Sequence, residues 1–382
     1  MQWMVPHNRL GEMQLHVLDS CLKKQNGHNW IRGFAGSGKT VLLVHAIVES
    51  LTKNPNMTVC VVVYTHALKD LVSTGIPDHL GSNIPVMTYH HFRNNPRHYD
   101  LIVVDEIQDL EASVLRLLME YSKRLIVAGD ENQSIYKQRV STHDIEQILS
   151  PEKHKLEVLY RLTQALRDIV RTILPNSLIE GARISRMADV QVTLAHASGV
   201  ISEIQWVWQQ AKRFARQGDP AAVLLPKRRD MRSFIDHVCT EEGIAHPAYE
   251  KDERGKIDYD IVNAYLRKND VALRYIGSSY GSLAESDERP IVYLMTYHSA
   301  KGLDYETVFL PHLDEGVRFW RDDSALERRL FFVATTRSRR NLFMSYHTSQ
   351  AHAFVRGMPK DLLHKIDCTV RNQAEDEDNL FF

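Results

Sequence analysis

Residues Gly33 to Thr40 read GFAGSGKT, which fits Gly-x-x-x-x-Gly-Lys-[Ser/Thr] at every position. Glycines let such a loop wrap phosphates with its backbone N–H groups, the lysine reaches the β- and γ-phosphates, and the final hydroxyl ligates magnesium. Gly33, Ala35, Gly36, Ser37, Gly38, Lys39 and Thr40 are therefore expected to cradle a nucleoside triphosphate, with Lys39 also acting in catalysis. The surroundings agree: an apolar strand, Asn29 to Arg32, leads in, and a helical stretch from Lys39 to about Leu51 leads out.

The other half of such a site is the run VVDEIQD, in which the apolar strand Leu101 to Val104 ends on Asp105 and Glu106. Two acids at the end of a buried strand are costly unless a cation or a reaction uses them. Asp105 is expected to hold magnesium together with Thr40, and Glu106 to take a proton from the attacking water. The pair, following a P-loop, predicts an ATPase that uses ATP and Mg²⁺.

More strands follow the same pattern: Thr58 to Tyr64, Arg124 to Gly129, Ala221 to Pro226, Ile291 to Tyr297, Thr307 to Leu313 and Asn341 to Tyr346. Helical stretches intervene, at Glu111 to Ser122, Tyr160 to Leu174 and Ala325 to Arg337. Strands alternating with helices argue for parallel sheets covered on both faces. Two α/β domains are expected, residues 1–150 and 151–373, with an acidic tail at 374–382. The polar stretch 250–290 is expected to loop out of the second domain.

The chain has 382 residues, 43% of them apolar and 25% charged, which is the composition of a globular protein rather than a fibrous or low-complexity one. No apolar run suggests a membrane span, and MQWMVPHNRLGEMQ lacks the apolar block of a secretory signal, so a cytoplasmic protein is expected. With 47 basic against 48 acidic residues and a net charge of −1, a nucleic-acid site has to be a local patch. The four cysteines stand far apart and read as reduced thiols. The 19 histidines are scattered without ligand spacing and do not suggest a metal site.

Eight elements, in order along nearly the whole chain, carry a resemblance to the superfamily 1 DNA helicases of the UvrD/Rep type. Gln14 matches the family's adenine-reading glutamine. YTHA at Tyr64 to Ala67 and TYHH at Thr88 to His91 resemble its TFTN and TFHS elements. Asp105 to Asp109 matches the DExQD box, and GDENQSIY at Gly129 to Tyr136 is similar to GDDDQSIY. Tyr160-Arg161 remains of the NYRS element, TYHSAKGLDY at Thr296 to Tyr305 resembles TLHSAKGLEF, and LERRLFFVATTRS at Leu326 to Ser338 resembles EERRLAYVGVTRA.

The resemblance implies two RecA-like P-loop NTPase domains with the ATP cleft between them, and an ATP-dependent helicase or translocase on single-stranded DNA, moving 3′ to 5′. It implies that Arg161 and Arg337 are arginine fingers, which are worth roughly 10³–10⁵ in rate. Gln133 is implied to link the γ-phosphate to the DNA track, and Asp304 stands where the family has a glutamate near the nucleotide. The implied DNA contacts are Tyr64, Thr65, His66, Thr88, Tyr89, His90, Tyr136, Arg139, Thr296 and His298, since aromatic faces stack bases while hydroxyls and amides hold phosphates.

The chain also departs from the family. Only about eight residues separate His91 from the strand before Asp105, so the first of the two insertions with which the family's helicases grip duplex is expected to be missing. The some 65 residues between the Ala221 strand and Thr296 leave room for at most a stub of the second. Gln138 replaces a tryptophan on which a base stacks, a contact worth about 1–3 kcal/mol. A translocase with weak unwinding of its own is expected, helped by a protein partner such as a nuclease. The tail AEDEDNLFF, Ala374 to Phe382, faintly resembles the tail of single-strand-binding proteins and reads as a docking segment or a solvated end. The alternative reading is a nucleotide-gated switch or loading subunit of a nucleic-acid-processing or defence complex. RNA is a less favoured track.

Overall fold

The computed structural model describes residues 3–23, 27–81, 83–130, 134–135, 140–160, 163–175, 183–184, 189–283, 290–320 and 323–368. Gln133, Tyr136, Gln138, Arg139, Arg161 and the tail from Ala374 lie outside them.

The first sheet contains β1 (Asn29–Gly33), β2 (Val59–Val63), β3 (Val86–Thr88), β4 (Tyr99–Val104), β5 (Ser122–Gly129) and β6 (Glu152–Leu156). Their order is β3-β2-β4-β5-β1-β6, and every pairing is parallel. Strand β2, VCVVV, is buried at all five positions, as a parallel strand covered by helices on both faces requires. β1 is flanked by β5 and β6, so its connection to β2 crosses β5 and β4, carrying helix Lys39–Lys53.

A two-residue pair, β7 (Val158–Leu159) with β8 (Arg183–Ile184), follows. The second sheet contains β9 (Gln191–His196), β10 (Ala221–Leu225), β11 (Leu273–Tyr275), β12 (Val292–Thr296), β13 (Tyr305–Leu310), β14 (Ser338–Tyr346) and β15 (His364–Asp367). Its order is β11-β12-β10-β13-β14-β9-β15, again parallel throughout. The fold is thus two parallel-sheet α/β domains.

Two expectations need correction. The first domain does not stop at 150, because β6 pairs with β1 along Asn29 to Gly33 and carries the first sheet to Leu156. Its sequence EKHKL is polar except for Leu156, with Lys153 and Lys155 exposed and His154 and Leu156 buried, and it lacks the apolar run that marks the central strands. Residues 250–290 are not simply a loop. Asp258 caps helix Tyr259–Lys268 by accepting from Asp260 N and Ile261 N, and β11 extends the sheet past β12. Asn263 fastens the two, donating to Tyr275 O and accepting from Tyr275 N at 2.9 and 2.8 Å.

Cys21, Cys60 and Cys239 are buried and, like Cys368, free. Among the described residues no helix is long and apolar enough to cross a membrane.

Candidate nucleotide and nucleic-acid sites

The P-loop joins the carboxyl end of β1 to helix Lys39–Lys53. Gly36 and Gly38 have φ of +78° and +88°, a region that L side chains avoid. A Cβ on Gly38 would also collide with Gln14 Nε2. Gln14 is buried and supports the loop rather than lining the cavity: Nε2 donates to Ser37 O at 3.1 Å and Oε1 accepts from Gly11 N at 3.0 Å. Lys39 Nζ donates to Gly33 O and Phe34 O at 2.8 and 3.0 Å.

Asp105 and Glu106 follow β4, one strand beyond β5 from the P-loop. Thr40 Oγ1 donates to Asp105 Oδ2 at 2.6 Å, so hydroxyl and carboxylate meet where a cation would take both. Burial, and then the charge of Glu106, push the Asp105 carboxyl up. A divalent cation would relieve that, and the Ser37 hydroxyl is buried without a partner. The residues therefore fit a magnesium-bound nucleotide, whose phosphates would also meet the N-terminus of helix Lys39–Lys53.

Glu106 adopts a left-handed backbone, φ +57°, which turns it out of the line of β4. Burial pushes its carboxyl up, but Lys301 and Lys39 outweigh burial and hold it down. Gln108 Nε2 donates to Glu106 Oε2, while Gln108 Oε1 accepts from Asp130 N at 3.0 Å. Gly129 makes this possible, since a Cβ there would strike Gln108.

The second domain closes the site. A cavity of about 600 Å³ is lined by Ala35, Gly36, Gly38, Lys39, Thr40 and Glu106 from the first domain and by Gly302, Asp304, Glu306, Arg337 and Arg339 from the second, with Tyr160 from the connecting segment. Trp3, Met4, Val5 and Leu71 give it an apolar wall. Arg337 is only 1% exposed. Its guanidinium donates to Val333 O at 2.8 Å, Leu303 O at 2.9 Å and Thr336 Oγ1 at 3.1 Å, and its charge is among those that hold Glu106 down. Asp304 is ion-paired with Arg339. Tyr160 N donates to Gly36 O at 3.0 Å, which ties the connecting segment to the P-loop.

A second cavity, of about 500 Å³, also lies between the domains. It brings together Tyr64, Thr65, His66, Thr296 and His298, and adds Lys227, Arg228, Ser278, Ser279, Tyr280, Phe319 and Trp320. Thr88, Tyr89 and His90 are outside its lining. Tyr89 is 7% exposed, with Tyr64 stacked on it at 4.8 Å and His90 at 4.0 Å, so it supports Tyr64 more than it offers a face. The three threonine hydroxyls all serve turns or caps: Thr65 accepts from Leu68 N, Thr88 from His91 N and Thr296 from Ser299 N.

Sequence reasoning missed Lys301, Gln108 and Trp320. The first two stand inside quoted motifs, SAKG and DEIQD, where the signal was present. Trp320, whose ring lies 5.5 Å from His298, follows β13 in a loop with no motif of its own.

A P-loop, a hydroxyl–carboxylate pair beside it and a second parallel-sheet domain across the cleft define the two-domain RecA-like class of P-loop NTPase fold. Within that class, the model of the UvrD-like helicase C-terminal domain matches residues 65–349, and the chain belongs to that family, in the superfamily 1 helicases of the UvrD/Rep type. A probable DNA helicase of Mycoplasma pneumoniae is 27% identical over 65% of this chain and 43% of its own length. The ATP-dependent DNA helicase PcrA of Bacillus subtilis is 31% identical over 22% of this chain and 13% of its own. The chain thus spans under half the length of these relatives. Among solved structures, the PRRSV helicase aligns over 88% of this chain and 55% of its own at a TM-score of 0.44 and 15% identity, too distant a likeness to add to the fold read from the sheets.

Proposed function

We propose that this chain is an ATP-hydrolysing motor that moves along single-stranded DNA, 3′ to 5′, with little unwinding of duplex on its own. One observation carries the reading. The segment from Thr296 to Asp304 lines both cavities, with Thr296, His298 and Ser299 on one and Gly302 and Asp304 on the other. Between them Lys301, 2% exposed, pairs with Asp109 and approaches Glu106 Oε2 at 3.7 Å. A nucleic acid pressing on one end of that segment is mechanically joined to the carboxylate that works at the other.

The roles follow from position. Bound ATP supplies the phosphoanhydride, and Mg²⁺ supplies charge across its phosphates. Thr40 and Asp105 would hold the metal, while Lys39 would exchange its loop carbonyls for phosphate oxygens. Glu106, kept ionised by Lys301 and Lys39, is the acceptor for a proton from water. Arg337 brings a fixed positive charge from the second domain, and in such chemistry that charge acts chiefly in the transition state. Gln133 and Arg161 keep the parts implied by family resemblance, as do Tyr136 and Arg139 on the track. The proposed cell compartment is the cytoplasm, and a nuclease or single-strand-binding protein is the proposed partner.

The test is steady-state ATP hydrolysis with and without single-stranded DNA, with single-stranded RNA in parallel and Glu106→Gln as control. Stimulation by DNA that vanishes in the variant supports the motor, and displacement of end-bound streptavidin from 3′- or 5′-tagged strands reads the polarity. Hydrolysis indifferent to either nucleic acid would leave a nucleotide-gated switch. Robust unwinding by the monomer would refute the need for a partner.

A further inference from the structure

Strands β13 and β14 carry the nucleotide-side residues at their amino ends, Asp304 before β13 and Arg337 before β14. At their carboxyl ends, a strand length away, roughly 20 Å along β13 and roughly 30 Å along β14, they carry a different constellation. His312 and Asp314 follow β13, His347 follows β14, and Glu203 reaches in from the first turn of helix Val200–Arg216. One ligand atom from each of the four lies within 4.8 Å of all the others. The sequence shows no ligand spacing because Glu203 stands more than a hundred positions before the other three, and a helix and a strand separate Asp314 from His347.

We propose that Glu203, His312, Asp314 and His347 form a binding site for one zinc-class divalent ion. Each carboxylate spends one oxygen on being oriented and turns the other inward. Glu203 Oε1 accepts from His312 N at 2.8 Å and from Ser345 Oγ at 2.6 Å, while Oε2 faces His312 Nδ1 at 3.0 Å and His347 Nδ1 at 2.6 Å. Asp314 Oδ1 accepts from His347 N, Thr348 N and Thr348 Oγ1 at 2.7, 3.0 and 3.1 Å, while Oδ2 faces His347 Nδ1 at 3.2 Å. Fixing a ligand's outer oxygen with hydrogen bonds is how proteins aim carboxylates at metals.

The donor chemistry and size agree. Two imidazoles and two carboxylates make a four-coordinate N₂O₂ set, and bonds of about 2.0–2.2 Å put the ligands of a tetrahedral zinc about 3.3–3.5 Å apart. The contacts of 2.6 to 3.2 Å would open by about 0.1–0.9 Å around the ion, and the wider pairs, all within 4.8 Å, would close by up to about 1.5 Å. His312 sits at φ +62°, a left-handed conformation uncommon for non-glycine residues, and this brings both its N–H and its ring to Glu203. Glu203 is completely buried, and His347 at 23% exposure leaves a way in. Tyr297, also completely buried, feels the charge of Glu203 and has a hydroxyl with no hydrogen-bond partner.

The test uses the full chain, stripped with chelator and without nucleotide, titrated with Zn²⁺ by calorimetry and with Co²⁺ by visible absorption. One equivalent bound, with the strong bands of four-coordinate cobalt, is expected. In His347→Gln, the mildest change because that side chain is the most exposed, affinity should drop by at least tenfold, as second and first ligands do when removed. Asp314→Asn repeats the test at another ligand, and Asp105→Asn, which alters only the nucleotide site, should leave the titration unchanged. No stoichiometric binding by the native chain overturns the site, and so does binding that both ligand variants keep.

Discussion

Lys301 of the second domain is ion-paired with Asp109 of the first, both buried, and the same ammonium stands 3.7 Å from Glu106 Oε2. A charge pair out of water contributes less to stability than its removal costs, because deleting one partner strands the other. This contact therefore sets the geometry of the closed cleft more than it strengthens it. Gly302, the next residue, sits at φ +82° against Leu68 of the helix His66–Gly75, so the segment is seated by packing as well as by charge.

Replacing Lys301 by Met keeps the bulk and removes the charge. Destabilisation of about 3–5 kcal/mol is expected, read by urea unfolding, and Asp109→Asn in the same chain should return part of it. Additive single effects would show that the two are not energetically coupled. Activity should report the second contact. Lys301 is the largest of the influences holding Glu106 down, so its loss raises the pH at which Glu106 becomes an ionised proton acceptor. The acid limb of the ATP-hydrolysis profile should move to higher pH in Lys301→Met.

Gly38→Ala should weaken nucleotide binding for two separable reasons. The residue is held at φ +88°, which costs an L residue roughly 1–2 kcal/mol, and the new Cβ strikes Gln14 Nε2. Adding Gln14→Ala removes the collision and leaves the backbone penalty. Titration with a fluorescent ATP analogue should find the double variant tighter than Gly38→Ala alone and weaker than Gln14→Ala. Equal affinities for the double and Gly38→Ala would show that the collision is harmless.

Trp320 lines the second cavity with its ring near His298, and its Nε1 is buried with no hydrogen-bond partner. A base stacked on the ring contributes about 1–3 kcal/mol, so Trp320→Ala should weaken single-stranded DNA binding about tenfold to a hundredfold. Trp320→Phe should keep most of the affinity if stacking is the contribution, and lose it if the indole N–H is. Fluorescence anisotropy at fixed salt separates the three outcomes, and unchanged binding in Trp320→Ala would remove this wall from the track.

The P-loop, the acidic box and most central strands were legible because each is a local pattern: glycines that a turn demands, or an apolar run too long for a half-exposed strand. β6 and β11 were not, since an edge strand needs little apolar sequence and β11 is three residues long. Ala35, Gly36, Gly38, Lys39, Thr40, Glu106, Asp304 and Arg337, named from their motifs, line one cavity, although Gln14 supports the loop instead of facing it. The nucleic-acid side was read less well. Tyr89 was named from its motif, but burial beneath Tyr64 is set by packing between helix Tyr89–Asn94 and its neighbours, which no local pattern records. The histidine–carboxylate cluster was invisible for the same reason, because parallel strands with helical crossovers bring together residues far apart in sequence.

The track histidines offer a last prediction, about charge. Burial, and then nearby cations, lower all three: Lys69 acts on His66, Arg93 on His90 and Lys301 on His298, which is brought down to about 4. A lowered imidazole is neutral above its folded value, so these side chains carry no positive charge to the phosphates at neutral pH. They can offer a ring face or a single N–H. Affinity for single-stranded DNA should accordingly be flat between about pH 6.5 and 8, since no histidine of the track gains a proton there. The dependence of log K on log salt, which counts cations placed on phosphates, should be the same in His298→Gln as in the native chain. Binding that tightens several-fold toward the acid end, with a steeper salt dependence, would mean that nucleic acid draws a proton onto one of these rings, and the track would then be held by charge as well as by stacking.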